Sequence, residues 1–537
     1  MTSLARPFDY VQVLYLVLPE LLLILTALAV MAADLLVLRR YPHRTRFTAA
    51  SILASLGCVA AIVQIAVSSA PSNLLDGVLL TNPLVHVVQI ALLVLTIAVL
   101  LLAASSTFTE HIGEFILLVI AATCGGMFLA ATQDLLVIFL SLELLSLSLY
   151  ILTAFDKASP RASEAALKYF LFGGISAAFL LFGFSLLYGF ANSTSLSDIA
   201  FAIAHTRSPG LHPIVAVAIV TTAIGLGFKI AAAPLHFWAP DVYQGAPAPS
   251  AAFIASGSKV ASFFVFFQIA ALGLGSGMAA GSAALRHPAR GWVPVLAILA
   301  VVSMLLGNLA ALRQSSLRRL LAYSAVAHAG YMLIAIAAHT ADSLSALLYY
   351  VITYALATIG VFAVISVIEN QNEIAFGNQP GSDSLDSLAG LSRRSPLLAA
   401  SLAIFILSLA GIPPLAGFFG KFYLFVAALE SVPGSTPLLW LVVLAIAMSA
   451  VSLYYYLQVL KRAFVSPMTA SEKEVLSSRA EAHSAAVEGP PVHSTPLRAP
   501  LLTQLLVVAL AAAVVLLGCF PHLLLGWINA AIAASGL

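Results

Sequence analysis

Four lysines and one glutamate lie inside long apolar stretches of the sequence. The lysines are Lys168, Lys229, Lys259 and Lys421, and Glu143 lies in the run DLLVIFLSLELLSLSLYIL. A charge at the centre of a bilayer costs about 2.5–3.5 kcal/mol on insertion scales, so each of these groups must line a polar cavity or have a partner. Burial lowers the pKa of an ammonium group, whereas a guanidinium keeps its proton. These residue types therefore favour proton transfer through a membrane.

The glutamate and the lysines could form switchable ion pairs. Lys168, one turn into the next predicted helix, is the nearest candidate partner of Glu143 in the sequence, and Lys229 is another. A carboxylate beside a lysine holds the lysine charged, and moving it away lets the lysine release its proton. The same pair could also be static and only fix helix packing.

Two proline-containing breaks interrupt predicted spans beside two of these lysines. Pro234 follows Lys229 in KIAAAPLHFWAP, and Pro413 and Pro414 precede Lys421 in SLAGIPPLAGFFGKF. Proline removes a backbone N–H donor and clashes with the carbonyl four residues earlier. Broken helices at corresponding places in two halves are typical of transporter sites. We therefore expect two repeats of five helices, each with one broken helix.

Other ionisable residues in the apolar stretches have less specific interpretations. His328 lies in the middle of a span and could relay protons between the halves, because an ordinary histidine titrates near pH 6.5; a buried structural histidine is the alternative. His236 lies beside the first break and is less central. Glu20 and Asp34 are expected near the membrane edges, and Asp241 is expected to cap or anchor a turn.

The composition excludes a soluble domain and predicts a polytopic membrane protein. The chain has 537 residues, of which 61% are hydrophobic and 9% charged, with a mean hydropathy of +1.04, whereas soluble proteins are about 25% charged. A net charge of +2 argues against nucleic-acid binding, and Cys58, Cys124 and Cys519 are too far apart in the sequence to form a metal cluster alone. Fourteen spans of about 20 residues are predicted. They lie near 11–38, 47–69, 81–104, 112–131, 134–155, 162–190, 213–249, 251–272, 292–311, 317–338, 342–369, 395–430, 435–462 and 501–535.

The loop charges predict the orientation of the spans. With the Arg-rich loop 39–46 in the cytoplasm, alternation of fourteen spans places 16 Lys and Arg residues in cytoplasmic loops and 4 outside. This positive-inside bias predicts that both termini are periplasmic. The first helix lacks a cleavage site behind it, so we expect it to be retained.

The predicted segments follow from the spans and the breaks. They are an N-terminal three-helix segment (1–111), a first five-helix repeat (112–272), a second five-helix repeat (273–464), a polar cytoplasmic loop (465–500) and a C-terminal transmembrane helix (501–537). The loop is rich in Ser, Pro and Glu, and no function is attached to it.

Four motifs of the sequence are similar to those of a known family. They are EAALKYFLFGGISAAFLLFGFSLLYG (164–189), GFKIAAAPLHFWAPDVYQGAPAPSAAFIASGSKVASF (227–263), RRLLAYSAVAHAGYML (318–333) and LAGIPPLAGFFGKFYLF (409–425). The chain resembles the subunit N (subunit 2) group of antiporter-like membrane subunits of proton-pumping NADH:quinone oxidoreductase, respiratory complex I. The resemblance covers nearly the whole chain. Related cation/proton antiporter subunits share the broken helices but usually differ at the positions of 242–247.

The resemblance implies an all-α fold of fourteen helices with two inverted five-helix repeats. By resemblance, Glu143 is the glutamate of the fifth helix and Lys168 the sixth-helix lysine that pairs with it. Lys229 resembles the central lysine of the broken seventh helix, Lys259 its neighbour on the eighth helix, and Lys421 the lysine of the second broken helix. Proton translocation would involve these residues together with His328.

The resemblance also implies the partners and the location. The chain would be a translocase subunit without a redox centre of its own. NADH, flavin, iron–sulfur clusters and quinone would be bound by partner subunits, and the direct partners would be other membrane-arm subunits, including the remaining antiporter-like ones. The absence of a transit peptide and the charge bias fit a bacterial inner (plasma) membrane.

Three other interpretations remain open from the sequence. The chain could be a subunit of a multisubunit cation/proton antiporter that works without electron input. It could be a related module of a photosynthetic or hydrogenase-linked complex. It could also be a scaffold whose buried ion pairs only hold helices together. The VYQGAP run and the context of Lys259 favour the subunit N interpretation over the antiporter.

Overall fold

The chain folds into a bundle of helices. The structure is a computed structural model that describes residues 10–68, 72–74, 77–205, 212–273, 291–376, 384–431, 436–465 and 499–535. Within these residues the only strands are β1 (Ser72–Leu74) and β2 (Leu79–Thr81), which form a short antiparallel hairpin. The predicted loop 465–500 falls almost entirely on residues outside this description.

The N-terminal segment contains three long helices and one short one. They are α1 (Tyr10–Leu16), α2 (Leu18–Leu36), α3 (His43–Val67) and α4 (Pro83–Ala103). The Asn82 side chain accepts a hydrogen bond of 2.8 Å from the Val85 N–H and so caps the start of α4, where Pro83 needs no backbone donor.

The next helices form the first set of five crossings. They are α5 (Ile112–Ala130), α6 (Leu135–Thr153), α7 (Pro160–Ala191), the pair α9 (Pro213–Lys229) and α10 (Trp238–Gly245), and the pair α11 (Ala248–Ala255) and α12 (Gly257–Gln268). The short helix α8 (Leu196–Ala204) follows α7, and the π-helical turn Ile269–Gly273 follows α12. The fourth crossing is broken at the predicted place, between α9 and α10.

The second set of five crossings repeats this order. Its members are α13 (Trp292–Ala311), α14 (Leu317–Ala338), α15 (Ala341–Phe376), the pair α17 (Pro396–Ala410) and α18 (Ala416–Leu429), and α19 (Leu439–Phe464). The four-residue helix α16 (Leu391–Arg394) precedes α17. The chain ends with α20 (Leu501–Cys519) and α21 (His522–Ala534), which meet at Phe520 and Pro521. The predicted single span 501–535 is therefore two helices, because Pro521 cannot continue the hydrogen-bonding pattern of α20.

The predicted all-α membrane fold is confirmed. Twelve of the described helices are long and apolar enough to cross a membrane. The two broken helices, α9 with α10 and α17 with α18, supply two further crossings, which gives fourteen in the described part of the chain. Each repeat contains five crossings, an odd number, so the second repeat starts from the opposite side of the membrane. The segment boundaries themselves stay a prediction.

The same backbone contact recurs in the two sets and relates them to each other. Asp134, the N-cap residue of α6, forms an isolated β-bridge with Ser195, which follows α7. Ser316, the N-cap residue of α14, forms the same kind of bridge with Ser384, which follows α15. In each set the bridge ties the start of the second helix to the segment after the third.

The interior of the bundle is formed by helices that are apolar on every side. The most apolar 18 residues of the span Ala248–Ala271 and of the span Ala341–Asn370 are all buried, and those of α14 almost all. A helix that is hydrophobic all round is stable only when it is surrounded by others. These three elements carry or flank the ionisable residues of the candidate site.

Side chains satisfy the backbone groups that the breaks set free. In the first break, the Ala233 N–H donates a hydrogen bond of 2.8 Å to Ser303 Oγ on α13, and Trp238 Nε1–H donates one of 3.0 Å to the Phe228 carbonyl. In the second break, the Gly417 N–H donates a bond of 3.1 Å to Ser408 Oγ. Irregular backbone at membrane depth is tolerated where protein groups satisfy it in this way.

The close approach of α17 and α18 requires glycine at position 417. A Cβ atom on Gly417 would lie 1.9 Å from the Ser408 carbonyl oxygen, a backbone atom that cannot move by itself. We expect Gly417→Ala to lower the free energy of unfolding by about 3 kcal/mol, the upper part of the range for overpacking. Thermal unfolding of the purified protein measures this.

The matched control is Gly174→Ala in the middle of α7. A Cβ atom there meets nothing within 4 Å, and alanine is the better helix former. We expect this variant to be as stable as the wild type or more stable. Equal melting temperatures for the two variants would contradict the close packing at the second break.

Candidate functional site

Lys229, which is buried, and Glu143, whose side chain is 25% exposed, form a charge pair at the first break. Lys229 is the last residue of α9, and its ammonium nitrogen lies 4.0 Å from Glu143 Oε1 on α6. Lys229 also donates a hydrogen bond to Ser146 Oγ, one turn after Glu143, and Ser146 donates in turn to the Leu142 carbonyl at 2.5 Å. Glu143 Oε1 is buried and accepts no hydrogen bond within the described part of the chain. The pair is thus in contact without being locked by a direct hydrogen bond.

The predicted pair of Glu143 with Lys168 is wrong for this structure. Lys168 Nζ lies 2.8 Å from Asp241 Oδ2 and 2.7 Å from Glu164 Oε1, and its side chain is 40% exposed. The physical reason is competition from nearer carboxylates: Glu164 lies one turn earlier on the same helix face, and Asp241 approaches from α10. Lys168 therefore binds α10, the second half of the first broken helix.

Asp241 joins the two repeats by ion pairs. Asp241 Oδ1 lies 2.8 Å from Arg319 Nη1 on α14, and Asp241 Oδ2 accepts a hydrogen bond from Lys168 on α7. The expected turn anchor is therefore an ion-pair centre between the helices of both repeats. The approach of Arg319 to Asp241 could not be read from the sequence, since 78 residues separate them.

The neighbouring Arg318 is buried at the same place and binds the end of α10. Its guanidinium makes two hydrogen bonds to the Glu369 carboxylate, of 2.8 and 2.5 Å, and one of 2.6 Å to the Ala246 carbonyl. Longer contacts of 3.3 and 3.4 Å reach the carbonyls of Tyr243 and Gln244. A cation at the carbonyl end of a helix is stabilising. Arg318 is one of the 16 cations that the predicted spans assign to cytoplasmic loops, and its structural role was not predicted.

Lys259 is fully buried and reaches the helix that carries His328. Its ammonium donates a hydrogen bond of 3.0 Å to the Ala325 carbonyl on α14 and lies 5.4 Å from the centre of the Tyr354 ring. Lys259 lies in the first turn of α12, behind the irregular backbone at Ser256. The Ala325 carbonyl and the Tyr354 ring stabilise the ammonium, and no carboxylate of the described residues forms an ion pair with it.

His328 is held by two tyrosine hydroxyls. Nδ1 lies 2.6 Å from Tyr350 OH and Nε2 lies 3.0 Å from Tyr456 OH, and Tyr456 OH also lies 2.5 Å from Ser324 Oγ. Both ring nitrogens therefore have partners that can donate or accept, which suits a group that passes protons. The two tyrosines were not predicted as partners of His328, because they lie on other helices, α15 and α19.

Lys421 lies at the second break, where it binds the free end of α17. Its ammonium donates to the carbonyls of Leu409 and Ala410 at 3.3 and 3.0 Å and to Ser449 Oγ at 2.9 Å. The C-terminal carbonyls of a helix carry partial negative charge and stabilise a cation. Lys229 is placed differently at the first break, because it is itself the last residue of α9 and donates to Ser146 Oγ on α6.

The structure brings Lys259, His328 and Lys421 together into one cluster, the central cluster. Lys259 and His328 share the ring of Tyr354, which lies 5.0 Å from the His328 ring centre. Lys421 and His328 share the ring of Tyr331, at 5.2 and 5.7 Å. The histidine therefore lies between the two lysines, with aromatic rings on both sides.

His236, Glu20 and Asp34 lie away from the central cluster. His236 lies in the first break, with its ring 6.1 Å from that of Tyr323. Asp34 is buried and makes two hydrogen bonds with the Arg46 guanidinium, and Glu20 is also buried. The last two were expected near the membrane edges, which stays a prediction; the packing of α2 against its neighbours buries both side chains. No group of three His, Cys, Asp or Glu residues suited to a metal ion occurs in the described ranges.

A family model and several sequence relatives match the chain. The family described as "NADH:quinone oxidoreductase/Mrp antiporter, TM" matches residues 132–449. NADH-quinone oxidoreductase subunit N 2 of Acidobacterium capsulatum is 51% identical over 533 residues, which cover 98% of this chain and 100% of that protein. Subunit N of the Desulfovibrio desulfuricans enzyme is 40% identical over 523 residues, with 95% of each chain covered.

Solved structures share the fold at different levels of sequence identity. A chain of respiratory complex I from Thermus thermophilus with bound aureothin is 33% identical, with a TM-score of 0.71 over 95% of this chain and 98% of that one. A chain of the Mrp complex from Dietzia is 21% identical, with a TM-score of 0.74 over 97% of both chains. The fold is thus common to redox-linked and other membrane complexes, and sequence identity distinguishes between them.

Proposed function

The chain belongs to the membrane-subunit family of NADH:quinone oxidoreductases and Mrp antiporters, and we propose that it translocates protons as subunit N of an NADH:quinone oxidoreductase. Electron transfer would occur in partner subunits that bind NADH, flavin, iron–sulfur clusters and quinone. The 51% identity to a subunit N over nearly the whole chain supports this assignment over the Mrp antiporter.

The observation that carries the proposal is the loose Glu143–Lys229 pair at the first break. Two opposite charges 4.0 Å apart interact by about 4 kcal/mol at an effective dielectric constant of about 20, which corresponds to roughly a thousandfold in proton affinity. A rearrangement that separates them would therefore favour release of the lysine proton. Redox chemistry in the partner subunits would drive that rearrangement.

The proton would then pass from the pair to the central cluster. We place Lys229 first, then Lys259 and His328, and Lys421 last. The hydroxyls of Tyr350 and Tyr456 on the His328 ring would keep both nitrogens hydrogen-bonded while the ring changes protonation. Water molecules would bridge the remaining gaps.

Lys168 has a positioning role in this scheme. Its ammonium is held by Asp241 and Glu164, outside the Glu143–Lys229 pair. Through Asp241 it would fix the position of α10 relative to α7 and α14. A change in that position would change the distance between the Glu143 carboxylate and the Lys229 ammonium.

The location and the partners complete the proposal. The chain would lie in a bacterial inner membrane with both termini on the periplasmic side, beside other membrane-arm subunits that include the remaining antiporter-like ones. The charge distribution of the loops supports this orientation.

Glu143→Gln in the assembled complex tests the function. The complex is isolated through a tag on this chain, its NADH:quinone activity and subunit content are measured, and it is placed in vesicles. We expect normal assembly and about tenfold slower proton pumping, equivalent to about 1.4 kcal/mol on the limiting step, because the neutral amide no longer holds the Lys229 proton. Glu114→Gln, a half-exposed glutamate at the start of α5, should pump normally.

Two outcomes would favour the rival functions. Reduced assembly with normal pumping in the complexes that remain would indicate a structural pair only. Recovery without any redox-active subunit, together with sodium exchange by vesicles that lack a reductant, would indicate a gradient-driven antiporter.

A further inference from the structure

A buried glutamate lies in the N-terminal segment, outside both repeats. Glu20 is in the first turn of α2 and its side chain is only 2% exposed. Its Oε1 accepts a hydrogen bond of 2.9 Å from Gln89 Nε2 on α4. Its Oε2 is buried and has no hydrogen-bond partner among the residues that the structure describes. The translocation route proposed above does not use this residue.

A small cleft adjoins the glutamate at one end of the bundle. It is lined by Glu20 and Gln89 together with Ser68, Thr81, His86 and Ala131. Ser68 follows the last residue of α3, Thr81 precedes α4 and Ala131 follows α5, so the cleft lies where the helices end. Its volume of about 30 Å³ is enough for two or three water molecules, which need roughly 10–15 Å³ each on the same measure.

The surroundings of Glu20 offer no cation to balance a carboxylate. None of the ion pairs in the described part of the chain involves it. Arg46 of α3 lies at the opposite end of α2, where it pairs with Asp34. The titratable groups on the Glu20 side of the packed helices are the thiols of Cys58 and Cys124, of which the second lies 4.0 Å from the Glu20 carbonyl oxygen, the phenol of Tyr15 and the imidazole of His86. None of the four is a permanent cation. An isolated buried carboxylate is so costly that the group takes up a proton or a cation instead.

We propose that Glu20 is a proton-binding site that exchanges its proton with water in this cleft. A hydronium ion in the cleft gives its proton to Oε2 and leaves as water, and the reverse step returns the proton. Oε1 keeps its bond from the Gln89 amide in both states. The site does not depend on the proposed function of the two repeats, because it shares no residue with them.

The ligand set favours a proton over a metal cation. A hard cation needs several oxygen ligands, whereas the side chain that contacts the Glu20 carboxylate is the Gln89 amide, which presents its N–H₂ donor. A protonated Oε2 needs only one acceptor, which a water molecule in the cleft supplies.

Infrared difference spectroscopy on the intact complex tests this site. The spectrum of Glu20→Gln is subtracted from that of the wild type near neutral pH. We expect a carbonyl-stretch band of a protonated carboxylic acid that is present in the wild type and lost in the variant. The band should shift in D₂O, because the proton exchanges with the cleft, and should disappear at alkaline pH. Glu114→Gln, the half-exposed control, should retain the band.

A second variant covers the case in which Glu20→Gln does not assemble. Gln89→Leu removes the hydrogen bond to Oε1 but keeps the acid, so it should shift the same band and not delete it. A carboxylate band in place of the acid near neutral pH, a band insensitive to D₂O, or conversion to carboxylate on addition of sodium at constant pH would each overturn the proposal.

Discussion

Replacing Lys229 with methionine is expected to reduce proton pumping by about 100-fold or more, to the background of the vesicles. A side chain positioned for proton transfer contributes roughly 10²–10⁴-fold to such a step, and methionine keeps the length of the side chain without an ionisable group. Lys229 ends α9 at the first break and is the only lysine that contacts Glu143 in the described part of the chain. The measurement is vesicle acidification per NADH oxidised, in complexes with verified subunit content.

Lys157→Met is the matched control for this substitution. Lys157 lies exposed in the turn between α6 and α7, where it contributes to no described ion pair. We expect it to pump like the wild type. Undiminished pumping by fully assembled Lys229→Met complexes would remove Lys229 from the proton route.

Much of the fold follows from local features of the sequence. Apolar windows of about 20 residues predict the crossings because each helix must satisfy its own backbone in lipid. The prolines at 234, 413 and 414 predict both broken helices for the same local reason, since a missing donor and a steric clash act within one turn. These effects depend on neighbouring residues only, so they can be predicted without knowing the rest of the structure.

The partners of the charged residues depend on contacts between distant segments. Lys168 was predicted to pair with Glu143 because the two are close in sequence, yet Asp241, 73 residues away, takes its place. Sequence distance does not tell which face of α7 meets which helix. The same limit explains why the tyrosines that hold His328 were not identified.

The burial of individual charged residues is the other feature that could not be predicted from the sequence. Arg318 follows a polar loop and was counted among the loop cations, whereas the structure buries it against the end of α10. Glu20 lies near the start of its span and was expected at an edge, but α3, α4 and α5 enclose it. In both cases the position along the helix was correct, and the surrounding elements determined the exposure.

Arg318→Met is expected to be the most destabilising substitution at a charged residue of this chain, at about 3–5 kcal/mol. The guanidinium neutralises Glu369 on α15 and satisfies the terminal carbonyls of α10, and only 6% of Arg318 is exposed. Removing one partner of a buried pair leaves charge and carbonyl groups without the donor that offset their burial. Thermal unfolding of the purified complex, with the yield of assembled complex, measures the loss.

The size of that loss distinguishes a link between the repeats from an ordinary ion pair. Arg462 pairs with Asp386 at 3.0 Å on the surface, with about half of each side chain exposed, and a pair of that kind contributes at most about 1 kcal/mol. Arg462→Met should therefore change the melting temperature little.

Arg318 joins α10 of the first repeat to α14 and α15 of the second, so its loss should also loosen the first broken helix and lower pumping in the complexes that survive. If the two variants were equally stable, the buried arginine would not hold the repeats together, and the position of α10 would have to depend on Asp241 and its two cations instead.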